Sequence, residues 1–185
     1  MIQAERFAHG LFQPHGEIGL PLLHVPDVLR IPPRQTPVEY GLATKPKIIE
    51  ESPIRFSVSH SSSAAVTAIS EGSETGVDVE YRQPPGPPVS SEIFSSGEIN
   101  RIQASSVRLA SFCDEWTLKE AVLKAPGFGF SSSETQTDLT PGSVSRFREF
   151  AVQNLNVAVR FSAALAIQCA RGQEIRRIIL HEGHP

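Results

Sequence analysis

Alternating apolar and polar residues, together with turn signals, predict three strands in the middle of the chain. From Ile54 to Ser59, apolar side chains alternate with arginine and serine, which is the period-two pattern of a strand with one buried face. The serine run 61–63 predicts a turn, and Ala64–Ile69 predicts a returning strand. Gly76–Glu80 also alternates and is the third predicted strand, since its β-branched valines favour a strand.

Two helices are predicted after these strands. Ser90 or Ser91 is suited to cap a first helix that ends near Gln103. A second helix is predicted from about Val107 to Ala125, because Pro126-Gly127 then stops it. The middle of the chain therefore reads as a block of strands followed by a block of helices.

The two ends of the chain are expected to be mainly extended. The first 50 residues include seven prolines between Pro14 and Pro46, which predict extended segments and turns rather than long helices. The tail predicts strands at Asn156–Phe161, Ala163–Cys169 and Ile175–Leu180. Because strands and helices come in blocks, the predicted fold class is α+β with a largely antiparallel sheet.

The composition narrows the class of protein. The 185 residues carry a net charge of −3, which argues against broad nucleic-acid binding, since such proteins carry a basic surplus. Two cysteines, Cys113 and Cys169, are too few for a disulfide framework or a zinc finger. No apolar run is long enough to span a membrane, and charged residues interrupt Met1–Leu11, so no signal peptide is expected. We expect a soluble cytoplasmic protein.

Two carboxylates on the third predicted strand are the first candidates for a functional site. Asp78 and Glu80 are two residues apart, so their side chains share one face while Val77 and Val79 point into the core. Two close negative charges repel each other, and a hard divalent cation between them would lower that cost. The alternative is an ordinary solvated strand face.

The second predicted helix carries an acid between two bases. Trp116, Glu120 and Lys124 are four residues apart and lie on one stripe of the helix, and Lys119 lies beside that stripe. The alternative is a ladder of surface salt bridges. A tryptophan on the same stripe argues against a fully exposed face.

Two segments that contain histidine are weaker candidates for a functional site. Ser59-His60 ends the first strand, where the histidine is either a structural side chain or a donor to a phosphate. A serine hydrolase is disfavoured because the chain lacks the G-x-S-x-G elbow. His181-Glu182-Gly183-His184 lacks the spacing of a zinc motif, and we expect this terminal tail to be disordered.

Four motifs, in this order, resemble the 4′-phosphopantetheinyl transferase superfamily, and its Sfp-type branch most closely. They are FSVSHS at 56–61, GVDVE at 76–80, FSSGE at 94–98 and WTLKEAVLKAPGFG at 116–129. Lys45-Pro46, ahead of the first strand, resembles the G-K-P element of the family without its glycine. The resemblance covers residues 45–130, while the later strands fit only in a general way.

The resemblance implies an activity. Members of the family move the 4′-phosphopantetheine arm of coenzyme A onto a serine of an apo acyl or peptidyl carrier protein, with Mg²⁺, and release adenosine 3′,5′-bisphosphate. The magnesium ligands would be Asp78, Glu80 and Glu120. Glu120, or a water held by the metal, would accept the serine proton.

The resemblance also implies how coenzyme A is held. Its phosphates would be contacted by the basic and hydroxyl side chains Lys45, Ser59, His60, Lys119 and Lys124. Lys124 would face the pyrophosphate and so contribute to catalysis, and His60 would reach the 3′-phosphate.

The family fold implies two similar α+β halves related by a pseudo-twofold, with the ligand cleft between them. The halves would be residues 1–75, which are shortened relative to Sfp-type members, and residues 76–185, which carry the metal site and the helix with Lys119. A monomer is expected, because both halves lie in one chain. The short first half motivates an alternative, a non-catalytic protein that binds coenzyme A or a carrier protein.

Overall fold

The computed structural model describes residues 38–40, 45–48, 53–84, 89–127, 137–142 and 145–168. These form eight strands and two helices. In chain order they are β1 (Val38–Tyr40), β2 (Pro46–Ile48), β3 (Ile54–Ser61), β4 (Ala64–Glu71), β5 (Thr75–Tyr81), α1 (Ser96–Ala104), α2 (Arg108–Lys124), β6 (Ser145–Phe147), β7 (Phe150–Leu155) and β8 (Phe161–Gln168). The predicted α+β class with antiparallel sheets is confirmed; its division into two similar halves stays a prediction.

All strand pairs are antiparallel. β1 pairs with β2 and β3 with β4, while a four-stranded sheet has the order β5-β8-β7-β6. Strand β5 therefore lies at one edge of the larger sheet. Its register with β8 sets Asp78 opposite Ala164.

The four-stranded sheet is covered on both faces. Ala164 and Ala166 of β8 pack against the apolar side of α2, around Leu118. Their neighbour Leu165 points the other way, into a cluster with Val66 of the β3–β4 hairpin. Since side chains alternate along a strand, the molecule is built as hairpin, sheet and helices, and strand β5 is sandwiched between the hairpin and α2.

Helix α1 begins later than predicted. Its N-cap is Ser95, not Ser90 or Ser91, because Ser95 and Glu98 form a capping box in which each side chain bonds the backbone N–H of the other. The residues before it form turns. The prediction for α2 is confirmed to within one residue at each end, with Val107 and Ala125 as its caps.

The tail differs from its prediction. Residues 156–160 form a turn rather than a strand, closed by the Phe161 N–H bonding the carbonyl of Ala158 at 2.8 Å. Strands β6 and β7 were not predicted from the sequence, whereas β8 was. Ile175–Leu180 and the tail with His181 and His184 lie outside the described residues, as does Cys169. Among the helices described here, none has the length and apolarity needed to cross a membrane.

Candidate functional site: a carboxylate and lysine cluster

Helix α2 lies unusually close to strand β5, and a glycine makes this possible. A Cβ atom at Gly76 would fall 2.1 Å from the carbonyl oxygen of Ala121 and 2.5 Å from the nitrogen of Ala125. Any side chain at this position would push the helix away from the sheet. The close contact brings the end of α2, with Lys124, over the next even position of β5, Asp78.

Asp78 and Lys124 form the centre of the site. The Lys124 Nζ lies 2.5 Å from Asp78 Oδ1, and Ser59 donates its hydroxyl to the same oxygen at 2.8 Å. The Asp78 side chain is only 3% exposed, whereas that of Lys124 is 33% exposed. The solvated-face alternative is therefore wrong for Asp78: its carboxylate is buried beside a cation that still reaches solvent.

One oxygen of this carboxylate is unsatisfied. Asp78 Oδ2 is buried and has no hydrogen-bond partner among the residues that the structure describes. Burial raises the pKa of Asp78, and the Lys124 ammonium opposes that rise. A buried polar atom without a hydrogen-bond partner costs free energy. Such an atom in a folded protein is typical of a site with a catalytic role or a bound ion.

Glu120 adds a second carboxylate from the helix. Burial raises its pKa to about 7, with the negative charges of Asp78 and Glu80 adding to the rise and Lys124 opposing it. Glu80 accepts a hydrogen bond from the Ser61 hydroxyl at 3.0 Å. The predicted trio of Asp78, Glu80 and Glu120 therefore shares one electrostatic environment. We call these three residues together with Lys124 and Ser59 the Lys124 cluster.

A hard divalent cation is the group that these carboxylates would hold. Within the described ranges, no three histidine, cysteine, aspartate or glutamate side chains form a group able to hold a metal ion. Their chemistry nevertheless fits such an ion, since Mg²⁺ prefers carboxylate oxygens and Asp78 Oδ2 finds no partner in the described part of the chain. The magnesium site stays a prediction.

Lys119 points to a different set of partners. Its side chain is 3% exposed and its Nζ lies 2.9 Å from Glu98 Oε2. Glu98 also accepts the backbone N–H groups of Ser95 and Leu139. The surface-ladder alternative is therefore wrong for Lys119, and its predicted contact with coenzyme A stays a prediction.

The partners of Lys119 belong to a larger polar network between the two helices, with Arg101 and Asp138 on its more exposed side. Arg101 of α1 binds Glu115 of α2 through Nε at 2.7 Å, and its Nη2 lies 2.7 Å from Asp138. Glu115 is fully buried. We call Lys119, Glu98, Arg101, Glu115 and Asp138 the Lys119 cluster. The sequence analysis had assigned no role to its acidic members or to Arg101.

Lys45 is also held by the fold. Its Nζ binds Glu74 at 2.8 Å and the carbonyl oxygens of Thr75 and Ala125. Burial lowers its pKa. Lys45 thus ties the segment before β2 to the start of β5 and the end of α2, and its predicted contact with coenzyme A stays a prediction. His60 is exposed on β3, next to Ser59.

Ser59 was predicted as a site residue from the sequence, but Ser57 and Ser61 on either side of it were not. Ser57, Ser59 and Ser61 share a face of β3, and each accepts a backbone N–H of β5, from Val77, Val79 and Tyr81 respectively. The spacing of two residues between these serines was a visible signal, because it predicts one common strand face.

Comparisons with known proteins identify the family of the chain. The model of the 4′-phosphopantetheinyl transferase superfamily matches residues 74–170, which is just over half of the chain and includes both β5 and α2. The chain therefore belongs to this superfamily, as its motifs predicted.

Curated relatives carry the same family name. The chain is 30% identical over 124 residues to the 4′-phosphopantetheinyl transferase AcpT of Salmonella typhimurium, covering 65% of this chain and 64% of AcpT. It is 31% identical over 126 residues to the 4′-phosphopantetheinyl transferase HetI of a Nostoc species, covering 61% of this chain and 51% of HetI. The chain thus matches less than two thirds of the length of these relatives.

Proposed function

We propose that the protein transfers the 4′-phosphopantetheine arm of coenzyme A to a serine of an apo acyl or peptidyl carrier protein. The observation that carries the proposal is the pair of Lys124 and the buried Asp78, in a chain that belongs to this superfamily. The ion pair sets a cation that is a third exposed beside a carboxylate that keeps one oxygen without a described partner. Such a cluster is suited to bind a pyrophosphate and a counter-ion together.

In the proposed reaction, the carrier serine oxygen forms a bond to the phosphorus next to the pantetheine arm. The phosphorus–oxygen bond to the second phosphate breaks, and adenosine 3′,5′-bisphosphate leaves with the electron pair. Lys124 would stabilise the negative charge on that leaving group, because an ammonium in a partly desolvated site interacts strongly with phosphate oxygens. His60 would contact the coenzyme A phosphates, whereas the Ser59 hydroxyl already donates its proton to Asp78 Oδ1.

Glu120 is the proposed acceptor of the serine proton. A general base works best when its pKa is close to the working pH, and burial together with Asp78 and Glu80 raises the pKa of Glu120 to about 7. An ordinary surface glutamate would be a weaker base. That value belongs to the site without a cation, because Mg²⁺ held by the same carboxylates would lower the pKa of Glu120; a water held by the metal is the alternative acceptor of the proton.

Mg²⁺ would be held by Asp78, Glu80 and Glu120. When bound, it would neutralise charge on the pyrophosphate oxygens. Lys124 already occupies Oδ1 of Asp78, which leaves Oδ2 as the oxygen of that residue best placed to serve a second cation.

A non-catalytic binding protein is the second candidate. It is favoured by the finding that the three carboxylates are not gathered into a ligand set in the described residues, and by the ion pairs that occupy Lys45 and Lys119. Such a protein would bind coenzyme A or a carrier without transfer.

Mass spectrometry separates the two candidates. The protein is mixed with coenzyme A, Mg²⁺ and several apo carrier proteins, and each carrier is weighed. A carrier that gains the mass of the phosphopantetheine arm supports the transferase. Coenzyme A binding by calorimetry without a gain on any carrier would instead support the binding protein.

A further inference from the structure

Strand β3 faces the site with a regular row of hydroxyls. Ser57, Ser59 and Ser61 accept the N–H groups of Val77, Val79 and Tyr81 at 3.1, 3.3 and 3.0 Å. We call these three serines the serine row. Among the strands that the structure describes, β5 pairs only with β8. The serine row therefore satisfies backbone donors on the opposite side of β5 that would otherwise lack a strand partner.

Two members of the row make a second bond. Ser59 donates to Asp78 Oδ1 at 2.8 Å, and Ser61 donates to Glu80 Oε2 at 3.0 Å. By the same spacing, the β5 residue that matches Ser57 is Gly76, which has no side chain to accept a hydrogen bond. The row thus repeats one arrangement three times, and a carboxylate is present in two of the three.

The direction of each hydroxyl is fixed by this arrangement. A serine hydroxyl has one proton to donate and two lone pairs to accept with. In Ser61 one lone pair receives the Tyr81 N–H, and the proton then points to Glu80. A donor held by the backbone of a sheet strand has little freedom, so the carboxylate that it binds is restrained as well.

We infer that Ser61 is a positioning residue that holds the Glu80 carboxylate in place for a divalent cation. This inference rests on the proposed function and names a residue outside the proposed catalytic and coenzyme A contacts. Ser61 acts through Glu80 and touches neither substrate. Residues that orient a metal-binding carboxylate typically contribute about tenfold to a hundredfold to metal affinity.

The test compares three variants. Ser61→Ala removes both bonds of the hydroxyl. Ser57→Ala is the matched control, since it removes the same kind of backbone bond from the same row with no carboxylate involved. Ser61→Thr keeps a hydroxyl on a strand position that tolerates β-branching and is expected to restore the bond. The readouts are crystal structures of the variants and Mn²⁺ affinity measured by electron paramagnetic resonance on the protein alone.

The expected result differs between the two alanine variants. Ser61→Ala should release Glu80 from its position and weaken Mn²⁺ binding about tenfold to a hundredfold, while Ser57→Ala changes neither and Ser61→Thr recovers both. The inference is overturned if Glu80 keeps its position in Ser61→Ala, if both alanine variants bind Mn²⁺ equally, or if the unaltered protein binds none. A protein that gives the expected Mn²⁺ results but transfers no arm to any carrier refutes the proposed function and leaves this inference standing.

Discussion

Two lysines on one helix, five residues apart, enter two different polar clusters. Lys119 is buried in the Lys119 cluster, where Glu98 also receives two backbone N–H groups. Lys124 is a third exposed, and its partner Asp78 keeps one oxygen without a described partner. The first cluster satisfies its central carboxylate and joins α1 to α2; the second leaves a carboxylate oxygen unsatisfied.

The difference between the two clusters separates a structural role of buried charges from a ligand-binding role. A buried ion pair with additional hydrogen bonds holds elements in register, and losing one partner is costly because the other charge stays buried. An incompletely satisfied cluster is a poor contributor to stability and a better candidate for ligand binding. By this criterion the Lys119 cluster serves the fold and the Lys124 cluster serves the proposed chemistry.

The largest expected effect comes from breaking the Lys119 cluster. Lys119→Met should lower the free energy of unfolding by about 3 kcal/mol, because Glu98 would remain buried without its cation. Urea denaturation measures the change. Adding Glu98→Gln should recover part of the loss by removing the stranded charge; a Lys119→Met protein as stable as the unaltered one would show that this cluster does not hold the fold.

Breaking the Lys124 cluster should affect transfer more than folding. Lys124→Met is expected to slow transfer about 10²–10³-fold, the usual cost of losing one group that stabilises developing charge. Its free energy of unfolding should fall by only about 1 kcal/mol, because Asp78 keeps the Ser59 bond and can take up a proton. Steady-state kinetics with a carrier and urea denaturation test both parts. A loss of stability as large as that of Lys119→Met would show that the two clusters do not differ in their contribution to the fold.

A third expected effect is a pH dependence of stability from Glu115. Burial raises its pKa from the ordinary value of 4.5 to about 7, against the pull of Arg101. Between these values the folded protein holds a proton that the unfolded chain has released, so stability is greatest below the lower value and falls as pH rises through the upper one. One such group contributes at most about 1.4 kcal/mol per pH unit.

Glu115→Gln is expected to reduce that slope. Denaturation in urea from about pH 5 to about pH 8 would reveal it, with the unaltered protein as reference. Part of the slope should remain, since burial also raises the pKa of Glu120. Identical slopes in the two proteins would mean that Glu115 is ionised throughout this range in the folded state.

Much of the fold could be predicted from the sequence because local residue patterns determine these elements. Alternation predicted β3 and β5, the serine turn predicted the returning strand β4, and Pro126-Gly127 predicted the end of α2. The shared face of Asp78 and Glu80 also followed from strand geometry. The capping box of Ser95 and Glu98 was visible as S-x-x-E, and it outweighs the earlier serines because both of its side chains bond the backbone.

Other features depend on contacts that spacing does not encode. Lys119 lies next to the stripe of Glu120 on the helix, but only the packing of α1 decides that it turns to Glu98 instead. The burial of Asp78 depends on how near α2 approaches Gly76. The turn at 156–160 replaced a predicted strand, although its alternating pattern resembled one.

The most direct test of the account is a paired measurement on Asp78→Ala, with transfer to a carrier and the free energy of unfolding determined on the same protein. The account predicts that transfer falls by at least about 10²–10³-fold, while stability changes by no more than about 1 kcal/mol, because the lost carboxylate has an oxygen without a described partner. Transfer at the unaltered rate would contradict it.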